Sequence, residues 1–127
     1  MEKWIPYEKI NIEHGYVIEE VKFTHGELSI SLEKDSLRKE ILFSDIYGYK
    51  YTNESGIIDR LSKIPAEILR KNKIFLVEES AYKNEYEYQS SGTRPVHNVQ
   101  HFILLDNIDN IVEILTVSVP LIKQNKS

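Results

Sequence analysis

The alternation of apolar and polar residues in the first half of the chain predicts β-strands. Residues 16–23 (YVIEEVKF) and 27–33 (ELSISLE) both alternate with the period of two that is typical of strands. Gly26 lies between them and supplies a turn, so the two segments predict a hairpin. Residues 40–52 (EILFSDIYGYKYT) are rich in β-branched and aromatic residues and predict a third long strand, with the polar residues 34–40 as the connection before it.

The spacing of the apolar residues changes from a strand period to a helix period after Asn53. Six apolar residues recur at the spacing of one helix face, and they are Ile57, Ile58, Leu61, Ile64, Ile68 and Leu69. We therefore predict a long helix over residues 54–72, capped by Asn53, with its Ile57–Leu61–Ile68 face buried against the sheet. Pro65 lacks a backbone donor, so it kinks or divides this helix.

Strand patterns return in the second half of the chain. Residues 73–79 predict a strand, after which Ser80 caps a short helix. Residues 99–105 and 111–117 are apolar on both faces, which suits two central antiparallel strands that are covered on both sides. The last five residues, 123–127, are polar and predicted to fray.

These elements predict the fold class and the domain organisation. The chain of 127 residues is long enough to bury a core and is expected to form a single domain over residues 1–127. We predict an α+β fold: a mostly antiparallel sheet of about six strands with one long, Pro-kinked helix and one short helix.

Composition and charge exclude several classes of protein. The chain has no cysteine, which excludes disulfides, thiolate metal sites and thiol nucleophiles. Its 16 basic and 20 acidic residues give a net charge of −4, which argues against a nucleic-acid partner. No apolar run approaches the ~20 residues of a membrane span, and the charged N-terminal segment does not resemble a signal peptide. We expect a cytoplasmic protein that does not bind a membrane.

Two histidines four residues apart raise the question of a metal or catalytic site. His97 and His101 would share a helix face as in the H-E-x-x-H motif, but Asn98 stands where that motif has glutamate. On a strand the two side chains would lie ~13 Å apart, too far to bind one metal ion. The sequence also lacks a nucleophile elbow and a glycine-rich phosphate loop. We therefore predict no bound metal, no cofactor and no enzymatic activity.

Tyrosine is concentrated in two places. Tyr47, Tyr49 and Tyr51 are predicted to lie on one face of the third strand, and three more tyrosines fall in residues 78–88, which we call the acidic segment. Such clusters either pack at the margin of a sheet or form a recognition surface, because tyrosine gives a large rigid contact area. If the acidic segment is such a surface, its partner-binding residues are Glu78, Glu79, Tyr82, Glu85, Tyr86 and Glu87.

A family resemblance rests on three soft motifs within residues 27–122. They are an aromatic strand ending in Tyr49, Thr52 and Glu54, a segment with Val77, Glu78, Ser80 and Tyr82, and a hairpin from His101 to Pro120 that contains Glu113. In these features the chain resembles a loose group of small bacterial proteins, largely from low-GC Gram-positive species, some of them encoded in toxin–immunity neighbourhoods. The resemblance implies binding and blocking of a cognate toxin, and it implies no catalytic residues.

Two hypotheses of different classes follow from the sequence. The first is a non-enzymatic protein-binding module, such as an immunity protein, that presents the acidic segment to a basic toxin; a homodimer is also compatible with the sequence. The second is a small-molecule binder or weak hydrolase, with a pocket between helix and sheet lined by Tyr47, Tyr49, His97 and His101. A pocket with a His–carboxylate pair would favour the second hypothesis, and a flat acidic, aromatic surface would favour the first.

Overall fold

Two antiparallel sheets and two short helices make up the part of the chain that the structure describes. The computed structural model describes residues 2–53, 61–90, 98–106 and 110–126. The strands of this part are β1 (Lys3–Pro6), β2 (Val17–Thr24), β3 (Glu27–Lys34), β4 (Leu37–Phe43), β5 (Ile46–Asn53), β6 (Ile74–Glu78), β7 (Gln100–Leu105), β8 (Asn110–Thr116) and β9 (Leu121–Lys126). The helices are α1 (Ala66–Lys71) and α2 (Ala81–Ser90).

The chain passes from one sheet to the other several times. The first sheet has five strands in the order β1-β6-β7-β8-β5, and the second has four in the order β2-β3-β4-β9. All neighbouring pairs are antiparallel. β5 is therefore an edge strand of the five-stranded sheet, next to β8.

The core lies between the two sheets. Ile30 of β3 and Ile41 of β4 face Phe102 and Ile114 of the central hairpin, and all four side chains belong to one buried cluster. A second cluster, which includes Phe75, lies on the opposite face of the five-stranded sheet and is covered by apolar residues in and before α1. The five-stranded sheet is thus buried on both faces, in the middle of three layers.

Both predicted hairpins are confirmed. β2 pairs with β3 around the turn at His25 and Gly26, which both have positive φ angles of 53° and 80°. β7 and β8 pair with each other and occupy the third and fourth positions of the five-stranded sheet. Their apolar residues are buried on both faces, because one sheet packs on one side and the helical layer on the other.

The predicted fold class is wrong: the protein is mostly antiparallel sheet, and the described helices are short. α1 has only six residues and begins directly after Pro65, because the proline ring cannot sit in a helix interior without breaking its hydrogen bonds. Ile68 is exposed rather than buried, whereas Leu61 packs against the second cluster. Residues 54–60 of the predicted helix lie outside the described residues.

Three predictions about strands are also wrong. Residues 34–40 are not a connection, because β4 begins at Leu37. The predicted third strand is two strands, separated at Ser44 and Asp45, where the chain leaves one sheet for the other and Asp45 has a φ of 50°. The predicted frayed end instead forms β9, whose backbone pairs with β4.

Candidate functional site

A chain of buried polar side chains connects α2 to the centre of the five-stranded sheet. The Ser80 hydroxyl lies 2.7 Å from Nδ1 of His101, and Nε2 of His101 lies 2.9 Å from Oε1 of Glu113. Ser80, His101 and Glu113 are all buried. We call these three residues the Ser–His–Glu chain.

The local backbone places Ser80 at the start of α2. β6 ends at Glu78, and Glu79 then takes a left-handed conformation with a φ of 56°, which turns the chain sharply. The Ser80 hydroxyl accepts a hydrogen bond of 2.9 Å from the backbone N–H of Lys83, as an N-cap does. The cap predicted from the sequence is therefore confirmed.

The hydrogen bonds of the Ser–His–Glu chain connect each of its polar groups to a partner. An ionised Glu113 only accepts, and in that state Nε2 of His101 is the donor to the carboxylate. Nδ1 is then the acceptor, and the Ser80 hydroxyl donates to it while accepting from Lys83. The other carboxylate oxygen of Glu113 lies 3.9 Å from the Lys50 ammonium. Every polar group of the Ser–His–Glu chain thus has a partner within hydrogen-bond or ion-pair distance.

Tyr82 covers this chain on the helical side. Its ring meets the His101 ring edge-on at 5.4 Å, and the Lys50 ammonium lies 4.3 Å from its centroid. Burial raises the pKa of Tyr82 to about 12, with the charges of Glu113 and Glu85 adding to the effect. A Cβ at Gly48 would approach the Tyr82 hydroxyl oxygen to 2.8 Å, so glycine makes room for this ring.

A cavity of about 490 Å³ lies beside the start of α2. Ser80, Lys83 and His101 contribute to its lining together with Glu78 and Glu79. The order serine, histidine, carboxylate is that of an acyl-transfer triad, although here the serine bonds to Nδ1 rather than Nε2. The side chains of His101 and Glu113 are, however, only 0% and 1% exposed. The Ser–His–Glu chain therefore links α2 to the sheet through side chains that are closed to solvent.

The predicted partner-binding residues divide into two groups. Tyr82 and Tyr86 are half-buried and pack against Val99 and Leu115, so they fix α2 to the sheet. The four glutamates of the set are exposed, and they are Glu78, Glu79, Glu85 and Glu87. Tyr88, which was not in the predicted set, is 82% exposed on the same helix.

Among the residues predicted to line a pocket, Tyr47 and Tyr49 have different neighbours. A register shift between Ile46 and Gly48 turns Tyr47 toward α2, where its ring lies 5.8 Å from that of Tyr86. Tyr49 instead stacks on Phe23 at 5.5 Å, away from His101. His97 lies outside the described residues. Within the described residues, no group of three His, Cys, Asp or Glu side chains is arranged to hold a metal ion.

Sequence reasoning missed the two residues that partner His101. Glu113 is the one acidic residue inside the apolar run of β8, and its position relative to Ile111 and Leu115 places it on the same face as His101. A charge within a strand buried on both faces requires a partner. That rule would have predicted the pair, once the two strands were taken as neighbours.

Comparisons with known proteins provide no evidence about function. None of the helices in the described ranges is long and apolar enough to cross a membrane. No protein-family model, no characterised protein and no solved structure matches this chain.

Proposed function

We propose that this protein is a non-enzymatic binding module that recognises a basic protein partner through the exposed face of α2 and the adjoining end of β6. The observation that carries the proposal is that the acidic segment has one set of side chains packed against the sheet and another set exposed to solvent. Its buried side chains fix the helix to the central sheet, and its glutamates and Tyr88 face solvent. We further propose that the partner is a cytoplasmic toxin, in agreement with the resemblance of residues 27–122 to proteins of toxin–immunity neighbourhoods.

Rigid attachment of α2 supports a role in binding. Ser80 caps the helix and bonds to His101, and Tyr86 packs on Tyr47 one turn after Tyr82 packs on His101. A surface that is already ordered loses little conformational entropy when a partner binds. Less of the free energy gained from contacts with the partner is therefore lost in ordering the helix.

The charge of this surface defines the chemistry of the partner. Glu78, Glu79, Glu85 and Glu87 are exposed, and Lys83 is the only basic residue of the acidic segment. Complementary charge accelerates diffusional encounter and disfavours acidic competitors. A partner with clustered lysine or arginine residues fits this surface.

The first test reverses the charge of the helix. The double variant Glu85→Lys/Glu87→Lys should slow association with the product of the adjacent gene, by about tenfold at low salt, and reduce the salt dependence of the association rate. Surface plasmon resonance at several salt concentrations measures both. Glu19→Lys/Glu20→Lys makes the same change in exposed residues of β2 and serves as the matched control. Equal effects of the two double variants would show a net-charge effect and would count against α2 as the interface.

The second test separates the exposed tyrosine from the packed one. Tyr88→Ala should accelerate dissociation by roughly tenfold, which corresponds to ~1.4 kcal/mol, without loss of stability. Tyr86→Ala should lower stability as well, because Tyr86 packs against the sheet. If Tyr88→Ala leaves the dissociation rate of a bound partner unchanged, the exposed end of α2 is not part of the interface.

A second candidate function is acyl-ester hydrolysis at Ser80, which is favoured by the Ser–His–Glu chain and the cavity beside it. It ranks second because the imidazole has no exposed surface. A fluorophosphonate probe, which labels activated serines, tests it by intact-mass spectrometry. Stoichiometric labelling that Ser80→Ala abolishes would place hydrolysis ahead of binding, and absence of labelling is the result expected for a structural chain.

A further inference from the structure

We infer that the partner also adds an extended strand to the outer edge of β5, beside α2. This inference rests on the proposed function and specifies how the partner is held. It follows from the four strand edges of the two sheets, which differ in how well they are protected. Exposed edges carry unpaired N–H and C=O groups, and native proteins usually protect them with short strands, prolines, bulges or charges.

The edge strands β1 and β2 are both protected. β1 has only four residues and ends at Pro6, which cannot donate a hydrogen bond to a further strand. β2 has a register shift between Ile18 and Glu20, and Glu19, Glu20 and Lys22 are exposed along it. Neither edge offers a long, regular ladder to an incoming strand.

The remaining edges are those of β9 and β5. β9 starts directly after Pro120 and exposes Lys123, two of the features that discourage pairing. β5 has eight residues and no proline. Its one charged residue, Lys50, is directed onto the Tyr82 ring and toward Glu113.

The available stretch of the β5 edge runs from Gly48 to Thr52. At the start of the strand, Ile46 donates its backbone N–H to the Gly26 carbonyl at 3.5 Å, and the register shift follows. Beyond that point no strand among the described residues pairs with β5 on the side away from β8. This stretch is long enough for a few ladder pairs, which is the geometry of strand addition.

The two faces beside this edge differ in chemistry, and they define the incoming strand. Phe23, Tyr49 and Tyr51 are 47%, 41% and 53% exposed, and Phe23 stacks on Tyr49. On the other face, Lys50 lies over the Tyr82 ring of α2, and the same helix carries the exposed Glu85 and Glu87. Because successive side chains of a strand point to opposite faces, the incoming strand should alternate apolar with basic residues.

A second copy of the protein fits this edge less well than a basic strand. Pairing β5 with itself would bring two copies of α2, each with exposed Glu85 and Glu87, toward the same junction. Like charges oppose that arrangement, and the net charge of −4 adds to the repulsion. The occupant to which the geometry points is therefore a partner segment of alternating apolar and basic residues.

The probe is an acetylated and amidated peptide of four Lys-Val repeats, with four Glu-Val repeats as its charge-reversed control. Amide hydrogen exchange by NMR should show slowing of at least tenfold within residues 48–52 when the Lys-Val peptide is added, and no slowing elsewhere in the first sheet. Tyr51→Lys, which puts a repelling charge on the edge, should abolish the effect. Thr24→Lys adds the same charge to the exposed end of β2 and should preserve it.

Four results would overturn the inference. The first three are equal protection by the two peptides, unchanged exchange in residues 48–52, and equal loss of the effect in both lysine variants. The fourth is protection that rises with protein concentration without peptide, because it would mean that a second copy occupies the edge. The proposed function is tested apart from this. If Glu85→Lys/Glu87→Lys slows binding of the adjacent gene product while β5 stays unprotected, the helix is the interface and strand addition is wrong.

Discussion

At the scale of single residues, His101 lies within hydrogen-bond distance of Ser80 and Glu113, which are distant from it in the sequence. β7 and β8 pair so that Leu115 lies opposite His101, which makes Glu113 its diagonal neighbour on the same face. Ser80 could be predicted as a helix cap from its place before a polar, aromatic segment. Its bond to His101 could not, because it depends on the turn at Glu79 and on the register of β6 against β7.

Ser80→Ala should lower the free energy of unfolding by about 2 kcal/mol. The change removes the N-cap of α2 and leaves Nδ1 of His101 without its hydrogen-bond partner. Urea denaturation followed by circular dichroism measures the loss. Ser29→Ala, on β3 and remote from this chain, should change stability by less than about 0.5 kcal/mol. Equal effects of the two changes would contradict the role given to Ser80.

The pKa of Tyr82 makes stability depend on alkaline pH. Folding raises the pKa of Tyr82 from its ordinary value of 10 to about 12, so the folded state favours the protonated phenol over the phenolate. This contribution is fully present below pH 10 and is lost as the pH rises through about 12. Tyr82→Phe should therefore flatten the fall in the urea midpoint between pH 10 and pH 12, whereas Tyr88→Phe, at the exposed tyrosine of the same helix, should not. A fall of unchanged steepness in Tyr82→Phe would exclude this source.

At the scale of elements, period and composition predicted strands better than helices. The two hairpins follow from alternation and from apolar runs. β4 was missed because Arg38, Lys39 and Glu40 give it a polar sequence, although Lys39 is itself buried. Its ammonium lies 2.7 Å from a Glu13 carboxylate oxygen and 3.2 Å from the Asn11 carbonyl oxygen. The segment before β2 therefore supplies the hydrogen-bond partners that allow this lysine to be buried.

The short α1 gives a prediction at the same scale. Leu61→Ala should cost about 1–2 kcal/mol, less than a fully buried leucine, because Leu61 is only partly buried against the second cluster. Ile68→Ala should cost less than about 0.5 kcal/mol, since that side chain is 37% exposed. Chemical denaturation of both variants measures the difference. A larger cost at Ile68 than at Leu61 would mean that the buried face of this region is wrongly assigned.

At the scale of the whole molecule, the division into two sheets could not be predicted from the sequence. Neighbouring segments usually pair, and that rule holds for β2, β3 and β4. It fails at three places where the chain crosses from one sheet to the other, which are between Pro6 and Val17, at Asp45, and between Thr116 and Leu121. A polar residue in a left-handed turn and a short loop with Pro120 are local signals common to any turn, so they do not reveal a change of sheet.

Removal of residues 121–127 tests the importance of the last of these crossings. β9 pairs with β4 along six residues, so its loss should expose β4 as a new edge and uncover part of the core. We expect the shortened protein to aggregate on size-exclusion chromatography. Leu121→Ser, which alters only a side chain that is 63% exposed, should remain monodisperse. A stable, monomeric shortened protein would mean that β9 contributes little.

The pairing of β4 with β9 also has a consequence for biosynthesis. Leu42 of β4 pairs with Leu121 of β9. The four-stranded sheet is therefore complete only after β9 leaves the ribosome, and β9 is synthesised after β5 to β8. Until then the apolar faces of β3 and β4 have no complete sheet around them, and long-range closure of this kind is slow. Newly made chains should therefore depend on chaperones for longer than their length suggests.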